Sequence, residues 1–126
     1  MTQGVTMKVL IVDDSKAMRM IIRRSLNQAG FTNVQAIEAN NGVEALQMIE
    51  QESPDLVLSD WNMPEMKGID LLKSLRASGR IVTLGFITSE SSPEIHQQAV
   101  DSGAAFVIVK PFTPAAIEHA LKPLMV

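Results

Sequence analysis

Cysteine is absent from the 126 residues, so neither disulfides nor thiol chemistry is available. Only two histidines occur, His96 and His119, too isolated in sequence to mark a zinc site. Any bound metal is therefore expected to be a hard cation held by oxygen. A basic excess is also missing: 11 Lys and Arg stand against 14 Asp and Glu, for a net charge of -3. That balance lacks the electrostatic footprint of a nucleic-acid binder. No apolar run approaches the roughly 20 residues of a spanning helix, and Met1 to Val12 lacks a basic segment followed by a long apolar one. The expectation is a cytoplasmic chain without membrane attachment. Repeats and low-complexity segments are lacking as well.

What is present suffices for one core. A length of 126 residues with 46% apolar content matches a single domain, expected over 1–126. Short continuous apolar runs recur at 8–12, 34–39, 55–59, 81–87 and 105–109. Their lack of polar alternation predicts strands covered on both faces. Between them lie helical patterns. Met18, Ile21, Ile22, Leu26 and Ala29 share one face of a first helix, while Lys16, Arg19, Arg23 and Arg24 mostly fall off it, and Gly30 stops it. Asn41 and Glu44 have capping-box spacing, predicting a second helix over 42–51. A third is predicted over 69–77, with Gly79 beyond it. Ser92-Pro93 and Thr113-Pro114 each place a cap before proline at the first helical position, starting a fourth and a fifth helix. Gly103 closes the fourth and Pro123 limits the fifth. Five strands alternating with five helices predict an α/β fold, a doubly wound five-stranded parallel sheet.

Ligands of such sheets bind at the carboxyl ends of the strands. Those ends carry all the unusual polar residues: Asp13-Asp14 after the first strand, Asp60 after the third, Thr88 after the fourth and Lys110 after the fifth. Singly, each has an ordinary reading as a cap, a strand end or a solvated charge. Together they gather three carboxylates, a hydroxyl and an ammonium on one edge. Carboxylates that crowd one point resist ionisation unless a divalent cation joins them, and hard oxygen ligands point to Mg²⁺, with Mn²⁺ as the substitute. An Asp beside such a cation, a lysine and a hydroxyl is equipped to attack phosphorus, and the product would be an acyl phosphate on Asp60.

The residues Asp60-Trp61-Asn62-Met63-Pro64, Gly68 and Lys110-Pro111-Phe112-Thr113 resemble the receiver domains of two-component response regulators, above all the stand-alone chemotaxis type. The resemblance covers nearly the whole chain and implies a flavodoxin-like fold. It implies that Asp60 accepts a phosphoryl group from the phosphohistidine of a histidine kinase or phosphotransfer protein. Asp14 would ligate Mg²⁺ with Asp13 beside it or acting through water, and Asn62 would offer its backbone carbonyl. Thr88 and Lys110 would bind phosphoryl oxygens, and the bond before Pro111 would be cis. Asn62 and Glu90 would flank the path of an attacking water. Output would run through contact with a protein such as a flagellar switch component, the chain acting as a monomer and assisting only its own phosphorylation and dephosphorylation.

One position departs from the family. An aromatic residue usually lies three places before the lysine and turns inward when the threonine moves; here that place holds Val107, with Phe106 one earlier. Alternate residues of a strand face opposite sides, so Phe106 cannot simply replace it. Switching is then expected to rest on Thr88. Two alternatives stand beside the chemotaxis reading: a phosphorelay carrier, and a receiver cut from a longer regulator at the apolar terminus Pro123-Leu124-Met125-Val126. The rival from another class is a haloacid dehalogenase-type phosphatase. It requires a second Asp two positions after the nucleophile, where this chain has Asn62. Lys16, Arg19, Arg23 and Arg24 read as a solvated helix face or a dock for an acidic phosphodonor, and Trp61 as a partly exposed rim residue.

Overall fold

The computed structural model describes residues 7–125. Strands β1 (Met7–Val12), β2 (Val34–Ala39), β3 (Leu56–Ser59), β4 (Thr83–Thr88) and β5 (Val107–Val109) alternate with helices α1 (Lys16–Gln28), α2 (Gly42–Glu52), α3 (Gly68–Ala77), α4 (Pro93–Asp101) and α5 (Pro114–Leu121). A short 3₁₀ turn over Lys122–Met125 follows α5. Of the apolar terminus singled out above, Val126 lies outside the described residues. All neighbouring strands run parallel, in the order β2-β1-β3-β4-β5. The order reverses between β1 and β3, which opens a crevice at their carboxyl ends.

Both faces of the central strands β1, β3 and β4 are buried, as their unbroken apolar runs require. The edge strands β2 and β5, expected to be covered on both faces, are only partly so, because each has a neighbouring strand on one side alone. On one side Leu10, Val12, Val57, Leu84 and Phe86 pack against Ala45, Ile49, Leu72 and Leu75 from α2 and α3. On the other, Val9, Ile11, Leu56, Leu58 and Ile87 meet Ile22 and Leu26 of α1 with Ile117 and Leu121 of α5. Each of the Val, Leu, Ile and Phe side chains contributes about 1.5–3 kcal/mol on burial, so the three central strands, filled on both faces, form a stiff base for the loops above them.

The predicted caps at Asn41, Ser92 and Thr113 form, each accepting a hydrogen bond from a backbone N–H in the first turn of α2, α4 and α5. The cap of α1 is Ser15, which accepts from the N–H of Met18, and not one of the acidic pair. Glu44 completes the capping box one residue early, accepting from the N–H of Asn40 at 2.9 Å. β4 and β5 are shorter than predicted. Ile81 is 89% exposed ahead of the sheet, and the chain from Ala105 joins β4 by isolated bonds before the ladder begins.

The inner line of α1 also differs. Arg19, Ile22, Ser25 and Leu26 are buried, whereas Ile21 is 46% exposed. The reason is helical phase: the i, i+3, i+7 line through Arg19, Ile22 and Leu26 faces the sheet and leaves Ile21 outside it.

Candidate functional site

Asp13 follows β1 and is buried. Its N–H still bonds to the carbonyl of Ala39 at 3.2 Å, so the ladder with β2 holds it in place. The turn into α1 is fixed by Asp13 itself, whose Oδ1 accepts from the N–H of Ser15 at 2.9 Å. Asp14, between them, is exposed. Across the switch point, the N–H of Asp60 donates to the carbonyl of Val12 at 2.9 Å, which sets the end of β3 beside the acidic pair.

From the far side comes Lys110. Its N–H donates to the carbonyl of Thr88 at 2.8 Å, and the peptide bond to Pro111 is cis. Its Nζ lies 3.2 Å from Asp13 Oδ2 and 3.4 Å from Asp60 Oδ2. One ammonium thus serves two carboxylates. Oxygens of Asp13, Asp14 and Asp60 all lie within 4.8 Å of one another. Burial raises the carboxyl of Asp60 above its ordinary pKa; Lys110 opposes this, Asp13 adds to it, and the N–H of Trp61 opposes it.

The floor beneath Asp60 is aromatic. Trp61 is 4% exposed and not the rim residue expected. Its ring meets Phe86 edge to face, centroids 4.9 Å apart, while its N–H donates to Asp60 Oδ1 at 2.7 Å. Gly68 opens α3 directly against this floor, donating to the carbonyl of Trp61 at 2.9 Å. A Cβ there would overlap the carbonyl oxygen of Asp60 and come within 2.7 Å of Phe86 Cε1.

Thr88 ends β4 and is fully buried. Its Oγ1 accepts from the N–H of Glu90 at 3.0 Å, and Glu90 Oε1 accepts from Asn62 Nδ2 at 2.9 Å. Asn62 and Glu90, paired in the sequence reading as flanks of a water path, therefore bond to each other across the mouth of the site. Val107 lies opposite Phe86 in the β4–β5 register and packs on the Phe86 side of the sheet. Phe106 packs on the other side, where its ring closes over Gly85. The two residues do face opposite ways.

Sequence reasoning missed a second layer behind the acidic turn. Buried Arg19 donates through Nη1 to the carbonyl of Asp13 at 2.6 Å and through Nε to Glu38 Oε1 at 2.7 Å. The available signal was a lone acid, Glu38, in an otherwise weakly polar β2, with an arginine one turn after the acidic pair.

The donor set suits a small hard cation. Three carboxylates face one ammonium, which leaves an excess of negative charge, and all the donors are oxygen. Ligand oxygens in an octahedral Mg²⁺ shell stand roughly 3–4 Å apart, a spacing the cluster nearly has.

A five-stranded 2-1-3-4-5 sheet with a carboxylate crevice at its switch point is a doubly wound, flavodoxin-like fold whose ligand site lies at the carboxyl ends of its strands. Residues 9–122 match the response regulator receiver domain, and the chain belongs to that family. It is 44% identical over 117 residues to the chemotaxis protein CheY-3 of Vibrio cholerae, covering 91% of this chain and 88% of that protein. It is 40% identical over 122 residues to the chemotaxis protein CheY1 of Helicobacter pylori, covering 94% and 97%. The solved structure of Vibrio cholerae CheY4 superposes with a TM-score of 0.83 at 32% identity, covering 97% of this chain and all of that one. Receiver domains are phosphorylation-dependent signalling modules that generally bind Mg²⁺ in an acidic pocket. No helix among the described residues is long and apolar enough to cross a membrane.

Proposed function

We propose that this chain is a single receiver unit in which Asp60 is the phosphoryl acceptor, with Asp13, Asp14, Asp60 and the backbone carbonyl of Asn62 holding Mg²⁺ or, in its stead, Mn²⁺. The observation that carries the reading is the seat of Asp60: partly buried at a strand end, 3.4 Å from the Lys110 ammonium and within the reach of two further carboxylates.

A histidine kinase or phosphotransfer protein is the donor on this reading. An Asp60 oxygen attacks phosphorus in line; the new O–P bond forms as the donor's P–N bond breaks, its electron pair returning to the imidazole, which takes up a proton. The bound cation supplies charge neutralisation for the phosphoryl oxygens. Lys110 and Thr88 bind those oxygens in turn, the ammonium by charge and the hydroxyl by a hydrogen bond. Asn62 and Glu90 govern the approach of water to the acyl phosphate.

The chemotaxis relatives favour an output by protein contact, with a partner of the flagellar-switch kind, in the cytoplasm. Incubation with acetyl phosphate and Mg²⁺, followed by intact-mass measurement, tests the core of this. Wild type gains one phosphoryl mass and Asp60→Asn gains none; equal incorporation in both refutes the assignment.

A further inference from the structure

We propose that Arg19 is a positioning residue for the cation site: from inside the fold it holds the β1–α1 turn in the shape that lets Asp13 and Asp14 point to one centre. The inference rests on the reading of Asp13, Asp14 and Asp60 as a cation site.

Burying arginine is costly unless its donors are used and its charge is matched. Arg19 is 8% exposed, and the Asp13 carbonyl and the Glu38 carboxylate meet both needs, at 2.6 and 2.7 Å. Glu38 also receives Arg23 at 3.4 Å, so its second oxygen is held as well. The guanidinium is therefore pinned to β2, the outer strand, by its partner. It reaches under α1 to Asp13, the first residue of the acidic turn that follows β1.

Every other group of Asp13 is already held: its N–H by Ala39, Oδ1 by the Ser15 N–H and Oδ2 by Lys110. Its carbonyl is the group that sets the plane of the peptide leading into Asp14. Asp14 is exposed, and among the described residues neither a side-chain hydrogen bond nor an ion pair restrains its carboxylate. The direction of that carboxylate depends on the backbone behind it, which Arg19 anchors. Outer groups of this kind typically tune metal affinity by 10–100-fold.

Charge and positioning predict opposite signs. Arg19 brings a positive charge close to a cation site, so if charge alone mattered, its removal would tighten Mg²⁺. If it positions the turn, removal weakens Mg²⁺. The experiment titrates Mg²⁺ against the fluorescence of Trp61, which touches Asp60, in wild type, Arg19→Gln, Arg19→Lys, Arg23→Gln and Ile22→Val. Arg23→Gln removes a charge from the same glutamate without touching Asp13. Ile22→Val thins the same helix face and controls for lost stability.

The dissociation constant is expected to rise about tenfold in Arg19→Gln, and less in Arg19→Lys, which keeps the charge but loses the fork. Arg23→Gln and Ile22→Val stay at the wild-type value. An unchanged or lower constant in Arg19→Gln overturns the proposal; should that variant not fold, an unchanged constant in Arg19→Lys does the same. A wild type that binds no Mg²⁺ overturns the cation-site reading itself and this inference with it.

Discussion

Gly68→Ala adds one methyl group at the point where α3 begins, between two walls that have little room to move. Phe86 is fully buried and locked edge to face against Trp61. The Asp60 carbonyl accepts from Ser59 Oγ at 2.8 Å. The new Cβ would overlap that carbonyl and stand 2.7 Å from Phe86 Cε1, whereas carbon atoms in contact prefer about 3.5–4.0 Å. The start of α3 and the end of β3 must part by about an ångström. Overpacking of this kind costs roughly 1–3 kcal/mol, less a fraction of the kcal/mol that alanine gains over glycine in a helix. For a chain of this size the melting point falls by roughly 3–5 °C per kcal/mol. The displaced atom belongs to Asp60 itself, and a misplacement near an ångström can cost up to about a hundredfold in rate. Scanning calorimetry and the rate of acetyl phosphate incorporation measure the two effects together. Gly30→Ala is the control: its φ of +100° strains an alanine while nothing lies within 4 Å of the new methyl, so it lowers stability and spares the phosphorylation rate. A Gly68→Ala protein with wild-type melting and wild-type rate would refute the steric argument.

The raised pKa of Asp60 has a definite linkage sign. A carboxyl whose pKa is higher folded than unfolded stabilises the fold below its unfolded value, about 3.9, and loses that contribution as pH rises through the folded value. In Mg²⁺-free buffer near neutrality, Asp60→Asn should therefore melt above wild type, with the gap closing on acidification toward pH 4; an equal or lower melting point at neutrality counts against it. Val107→Ala should cost about 1 kcal/mol as a small core truncation and leave the beryllofluoride-induced amide shifts in the 88–92 loop largely intact. Thr88→Ala should remove most of those shifts while Asp60 still accepts phosphate. A normal loop response in Thr88→Ala, or its loss in Val107→Ala, defeats that account of switching.

The parts of the site legible in sequence were those written locally. Asp60 and Asp13 stand where unbroken apolar runs end, and a parallel sheet buried on both faces turns such an end into a crevice wall. The caps at Asn41, Ser92 and Thr113 were legible because a cap involves residues two or three apart. Trp61 was not. Its burial depends on Phe86 from β4 and on the bare backbone of Gly68, which adjoin it only after three elements have packed. Arg19 was misread for a similar reason. Its charge suggested solvent, yet its partners lie at the end of β1 and on β2, 6 and 19 residues away. The opposed faces of Phe106 and Val107 were predictable, since the pleat alone dictates them.

The bonds from Thr88 to Glu90 and from Glu90 to Asn62 form a mechanical linkage. Thr88 Oγ1 spends a lone pair on the Glu90 N–H, so its own proton is free to turn elsewhere. On the proposed reading, a hydroxyl drawn toward a phosphoryl oxygen on Asp60 would pull the Glu90 backbone behind it, and the glutamate arm would pass that pull to Asn62 on the opposite bank. Two loops that are separate in the chain would then move as one lever, and the small stroke of a buried threonine would reach the surface.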